Sequence, residues 1–137
     1  MHTRGVFAPE TEEEAQERYE LVGPAAQVVI RETAQAMEFD REEYEERVTA
    51  EVIATARDAL FASLLEVYVG TREEYEEFFE ERDEEVVEVG SENVDRVVWH
   101  PVPFAGEAAA ATFQNEEAAA VDTLRRQAFG RIYRELL

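Results

Sequence analysis

Charge is what most constrains this chain. It carries 33 Asp or Glu among its 137 residues, and each of its 13 basic residues is Arg, for a net charge of −20. Nearly all of those groups must stay in water, because a buried charge without a partner is strongly destabilising. The core therefore has to be assembled from the apolar residues strung between them, 45% of the sequence. A chain of this length buries roughly two thirds of the surface it exposes when unfolded. One domain spanning residues 1–137 is expected.

The absence of Lys sharpens the charge argument. At low ionic strength a charge of −20 repels itself and weakens the compact state, but at molar salt the Debye length falls to ~3 Å and that repulsion is screened. Carboxylates hold water and solvent cations in concentrated salt, whereas the methylene stem of Lys is driven toward association. The pattern predicts a halophilic protein with hydrated cations over its acidic surface. Binding of a basic partner, as by a nucleic-acid mimic, also gives a low pI, yet it gives no reason to lose every Lys. Glu pairs such as Glu42-Glu43 and Glu73-Glu74 have the oxygens to chelate a hard cation, and a salt-facing surface explains them better. With no Cys there are no disulfides and no thiolate metal sites, which leaves His2 and His100 as the imidazoles. No metal and no cofactor is expected. The sequence has no signal-like or membrane-length apolar run, so a cytoplasmic location off the membrane is the expectation.

Helix starts are written in the spacing of polar residues. Thr11 with Glu14, Asp40 with Glu43, and Thr71 with Glu74 each have the cap-x-x-Glu pattern that satisfies orphaned amides at a helix start. At the second, Phe39 and Tyr44 have the spacing of a hydrophobic staple. Gly23-Pro24 reads as the end of one helix and the start of the next, so four helices are expected before residue 82. Val29, Ile30, Thr33 and Met37 form the apolar stripe of the helix begun at Pro24. Tyr44, Val48, Val52, Ala56, Leu60 and Leu64 form that of the helix begun at Asp40. Both stripes are assigned to the core.

Beyond Leu64 the texture turns toward strands. Residues 65–69 favour strand through Val67 and Val69. E-V-V-E-V and R-V-V-W-H-P-V-P-F read as strand, turn and strand, with Pro101 and Pro103 confining the second to an edge or an irregular end. Residues 107–113, although rich in Ala, are bracketed by Gly106 and Asn115 and read as a further strand. Asn115 is the expected cap of a final helix with an apolar stripe at Val121, Leu124, Ala128, Ile132 and Leu136. R-E-E-Y-E-E at 41–46 recurs at 72–77, but the sequences diverge at once, so this is two similar helix starts rather than a repeat array. The expected fold is α+β and helix-dominated: a helical half over about 11–64, a small and mostly antiparallel sheet with one helix over about 65–113, and a C-terminal helix over 116–137 packed on the sheet.

Few residues suggest chemistry. His100, between Trp99 and Pro101, is the candidate general base, but no nucleophile elbow, phosphate loop or metal-binding helix motif accompanies it. The C-terminal helix stands apart because its charges cancel: Arg125, Arg126, Arg131 and Arg134 against Glu116, Glu117, Asp122 and Glu135. Arginines late in a helix complement its dipole and can clamp acidic helices of this or another chain. Nucleic acid is the poorer partner, since phosphate affinity falls with salt and the acidic bulk repels a phosphate backbone. Gly130 within this helix suggests close approach of another backbone. The binding candidates are Arg125, Arg126, Phe129, Arg131, Arg134 and Trp99, toward an unknown protein partner or a second copy.

Several stretches carry a resemblance over essentially the full length: M-H-T-R-G-V-F-A-P-E-T, A-R-D-A-L-F-A-S-L-L, N-V-D-R-V-V-W-H-P-V-P-F and T-L-R-R-Q-A-F-G-R-I-Y-R. They resemble an uncharacterised family of small haloarchaeal proteins, a domain of unknown function. The resemblance implies a salt-adapted cytoplasmic origin and brings no catalytic residue, cofactor or substrate. An interaction or regulatory module without catalysis is the leading expectation. The alternative is a small enzyme using the Trp99-His100 region.

Overall fold

All three cap signals start helices in the computed structural model, which describes residues 1–137. Thr11 Oγ1 accepts from the Glu14 amide ahead of α1 (Glu12–Ala36), Asp40 from the Glu43 amide ahead of α2 (Arg41–Arg47), and Thr71 from the Glu74 amide ahead of α4 (Arg72–Phe79). At Thr71 the box is closed, because the Glu74 carboxylate accepts the Thr71 amide in return at 2.9 Å. A fourth cap was not anticipated. Thr49 accepts from the Val52 amide and opens α3 (Ala50–Leu64), so the expected helix from Asp40 to Leu64 is two helices broken at Val48.

Gly23-Pro24 does not divide a helix. α1 runs through it for 25 residues. The steric objection to helix before Pro is a clash with the preceding Cβ and amide, and Gly23 has no Cβ. The proline leaves the Glu20 carbonyl without its intrahelical donor, and the adjacent Tyr19 carbonyl accepts from Arg57 Nε at 2.8 Å. The core stripe of α1 is corrected as well. Ala15, Val22, Ala26 and Ala34 are its buried residues, while Val29 and Met37 are 46% and 58% exposed.

The sheet has the order β1-β2-β4-β5-β3, with β1 at His2–Arg4, β2 at Val67–Thr71, β3 at Glu85–Val89, β4 at Arg96–Val102 and β5 at Glu107–Phe113. Three pairings are antiparallel, and β3 runs parallel to β5. The expected strand-turn-strand pair is thus split, because β5 lies between β3 and β4. β4 is central where Arg96–Trp99 face β2. Beyond Trp99 it pairs with β5 alone, and Pro101 falls in that one-sided stretch. β5 is a strand despite its alanines because it is laddered on both sides and Ala108–Ala111 are buried. Tertiary pairing here overrides helix propensity.

Alternation along the strands splits the interior in two. Val67, Val69, Val98, Val102, Ala109 and Ala111 face α1, α3 and α5 (Glu117–Ala128), and Val97, Trp99 and Ala110 face α4. Phe61 of α3, fully buried, is the hub of the larger cluster. It makes edge-to-face contacts with Phe7, Tyr19, Phe129 and Tyr133 at centroid distances of 5.3–5.9 Å, a favoured aromatic geometry. The fold is a helix-rich α+β domain, and none of its helices is long and apolar enough to cross a membrane.

Candidate functional site

His100 is placed by β4 on the α5 side of the sheet and is 1% exposed. Its Nδ1 lies 2.6 Å from the Glu66 carbonyl and its Nε2 lies 2.7 Å from the Tyr133 hydroxyl. A carbonyl only accepts, so Nδ1 carries the proton and donates, and Nε2 then accepts from the Tyr133 O–H. Burial pushes the imidazole pKa down to about 4, and burial also raises that of the Tyr133 phenol. The ring is neutral with both nitrogens occupied. It ties β4 to the start of β2 and to the last helix, and it has no lone pair left for a substrate proton.

Trp99, one residue earlier, points to the opposite face. It is fully buried, with its ring near those of Tyr68, Tyr75 and Phe78. Its indole N–H has no hydrogen-bond acceptor. Trp99, named above as a binding candidate, is therefore a core residue on the α4 side, since neighbours along a strand face opposite ways. A cavity of about 350 Å³ opens next to His100, walled by Tyr68, Phe78, Pro101 and Pro103 with Glu10, Glu66 and Arg82 at its polar side. Arg82 is already committed, stacked on Phe78 at 4.6 Å and donating to Glu84 at 2.6 Å. No cluster of three His, Asp or Glu is arranged to hold a metal ion.

The arginines of the C-terminal helix part company. Arg125 is turned inward, and its Nε donates to the Leu65 carbonyl at 3.0 Å. This junction depends on Gly5, whose φ is +111°. A Cβ there would collide with the Leu65 carbonyl and approach the Arg125 guanidinium at 2.9 Å. Phe129 is 5% exposed and belongs to the core. Arg126, Arg131 and Arg134 are exposed, and Arg134 lies over the Phe129 ring at 5.5 Å. Gly130 has open space around it, so no backbone approaches there. It sits instead in a wider π turn, Phe129–Tyr133, that closes the helix with Phe129, Ile132 and Tyr133 all buried. Asn115 is not the cap either. α5 begins after Glu116 without a side-chain cap, and Glu117 in its first turn meets His2 at 3.1 Å, Arg4 at 3.4 Å and Arg96 at 3.8 Å.

A different surface is free of charge. Residues 21–30, L-V-G-P-A-A-Q-V-V-I, contain no ionisable group, and Leu21, Val28 and Val29 are 71%, 45% and 46% exposed. The signal was available as a ten-residue uncharged run in a chain one third charged, but a run of that kind is ordinarily buried.

The model of a family of unknown function, DUF5809, matches residues 6–134. This chain belongs to that family. His100, Tyr133 and the uncharged face of α1 all lie within the matched span, and membership in DUF5809 assigns no activity, ligand or partner to any of them. No curated protein and no solved structure matches the chain.

Proposed function

We propose that this protein is a halophilic, cytoplasmic interaction module without catalytic activity, and that its binding surface is the uncharged outer face of α1. The observation that carries the reading is the contrast between two places in the fold. The one imidazole near a cavity is neutral, buried and bonded through both nitrogens, while large aliphatic side chains stand in water on α1. Exposed apolar patches rimmed by polar residues mark association sites, and molar salt strengthens apolar association while it screens charge. The exposed arginines Arg126, Arg131 and Arg134 form a second, polar surface for the same partner or another.

The test is quantitative capture in 2 M KCl. Immobilised protein is expected to retain a saturable, near-stoichiometric partner, and Leu21→Glu with Val28→Glu to release it. Retention indifferent to those changes overturns the choice of surface. The second reading, a small enzyme, is favoured by the cavity beside His100. Incubation with a metabolite extract tests it, and turnover abolished by Tyr68→Phe or Glu66→Gln would make the protein an enzyme.

A further inference from the structure

We infer that α1 pairs with α1 of a second copy of this chain, antiparallel, across a twofold axis at Ala25. This rests on the module reading above and names its partner. Arg18, Leu21, Ala25, Val28 and Glu32 follow one another at steps of three, four, three and four residues. That is the seven-residue period of a helix-pairing seam. Leu21, Ala25, Val28 and Glu32 are exposed, and Arg18 is partly so, its guanidinium lying over the Phe7 ring at 4.5 Å. The buried residues of the same helix, Ala15, Val22 and Ala26, lie on the adjoining face, about 100° round the helix axis. The seam therefore remains open after α1 has packed on α3.

Charge decides the direction and the partner. A parallel pair sets Arg18 against Arg18 and Glu32 against Glu32. An antiparallel pair centred on Ala25 sets Arg18 of each copy against Glu32 of the other, Leu21 level with Val29 and beside Val28, and the two Ala25 residues against each other. The array is its own complement, which is what a twofold interface requires. Elsewhere two molecules of charge −20 repel, and this face lets them approach without facing carboxylates. A basic partner would be drawn to the acidic surfaces instead. Fifteen residues of seam span about 22 Å, less than a standard interface offers, so association in the micromolar range is expected.

The chain has no Cys, so single cysteines report on the pairing cleanly. Mild oxidation in 2 M KCl is expected to cross-link Ala25→Cys into dimers, and to leave Leu21→Cys and the off-seam Gln27→Cys monomeric. Cross-linking of Leu21→Cys would mark a parallel pair, and equal cross-linking of all three would mark random collision. Either result overturns the inference. Light scattering of the unmodified chain should give a dimer, with dissociation raised at least about tenfold by Leu21→Glu plus Val28→Glu while circular dichroism is unchanged. A dimer that survives those changes sinks this seam. A chain monomeric at every concentration sinks self-pairing. If that monomer still captures another protein through Leu21 and Val28, the module reading stands alone, and if it captures none, both fail.

Discussion

Seven of the 13 arginines hold their guanidinium groups over an aromatic ring, at 4.2 Å for Arg57 on Tyr19 and 5.7 Å for Arg72 on Tyr75 at the extremes. Guanidinium stacks on a ring face through dispersion as well as charge, so such contacts persist where salt screens ordinary ion pairs. This gives the missing Lys a structural reason beside the solvent one. Arg72 does more, donating to both Glu88 oxygens at 3.0 and 3.2 Å and to the Ser91 and Val94 carbonyls. Arg72→Lys keeps the charge and loses the fork, and should lower stability by about 1 kcal/mol. Urea unfolding in 2 M KCl measures it, and an unchanged midpoint would show that charge alone suffices. His100 yields a pH prediction. Its folded pKa, about 4, lies below the ordinary 6.5, so the unfolded chain takes up the proton first. The stability tied to the neutral ring is complete above pH 6.5 and declines as pH falls toward 4, by roughly 3 kcal/mol at the limit. Carboxylates titrate in the same window, so the measurement is the difference between the unmodified chain and His100→Gln from pH 7.5 to 4.5. Parallel curves would remove His100 as the source.

At the scale of elements, the last helix is the one whose removal is expected to cost the most stability. Val121, Leu124, Ile132 and Tyr133 are buried on the sheet and against Phe61. Each large aliphatic contributes about 1.5–3 kcal/mol of burial out of the 5–15 typical of a domain. A chain truncated after Asn115 should show no cooperative thermal transition by circular dichroism in 2 M KCl, and an unchanged melt would make the helix an appendage. Pro24 predicts the opposite sign. Pro24→Ala restores an amide to the interior of α1 and should raise stability by about 1–2 kcal/mol, less than the ~3 of an interior proline because the unfolded chain also gains freedom. A lowered midpoint would mean that the proline ring itself makes a stabilising contact. The elements legible in the sequence were those with local chemistry: the caps at Thr11, Asp40 and Thr71, the strand at Val67, and the bracketed strand at 107–113. What escaped was set by distance or by a missing atom. Gly23 tolerates Pro24 because it lacks a Cβ, β3 takes β5 as neighbour through partners 22 positions apart, Glu85 with Glu107 and onward, and β1 is three exposed residues that pair only because β2 is there. His100 was legible as a residue of interest, but its two partners, Glu66 and Tyr133, lie more than 30 positions away. No local pattern announced that it was occupied.

For the whole molecule the decisive quantity is the imbalance of charge. Of 33 carboxylates, only Glu45, Glu74, Glu84, Glu88, Glu117 and Asp122 lie within ion-pair distance of a cation. The rest have no cation within that distance, so repulsion among them is the main electrostatic force on the fold, and it acts against it. Between 0.1 M and 1 M KCl the Debye length falls from about 10 Å to about 3 Å. Repulsion between carboxylates on neighbouring turns and elements should fade over that range. The thermal midpoint is expected to rise by on the order of 10 °C, which corresponds to about 3 kcal/mol for a chain of this size. The shape of the curve separates two causes. Screening is nearly exhausted by 1 M, so a rise that saturates there is electrostatic. A rise that continues in proportion to salt up to 4 M reflects exclusion of salt from apolar surface instead. Differential scanning calorimetry in KCl at fixed pH records both regimes. A midpoint that stays flat or falls from 0.1 M to 2 M would refute salt adaptation, because it would mean that the unpaired carboxylates do not oppose folding.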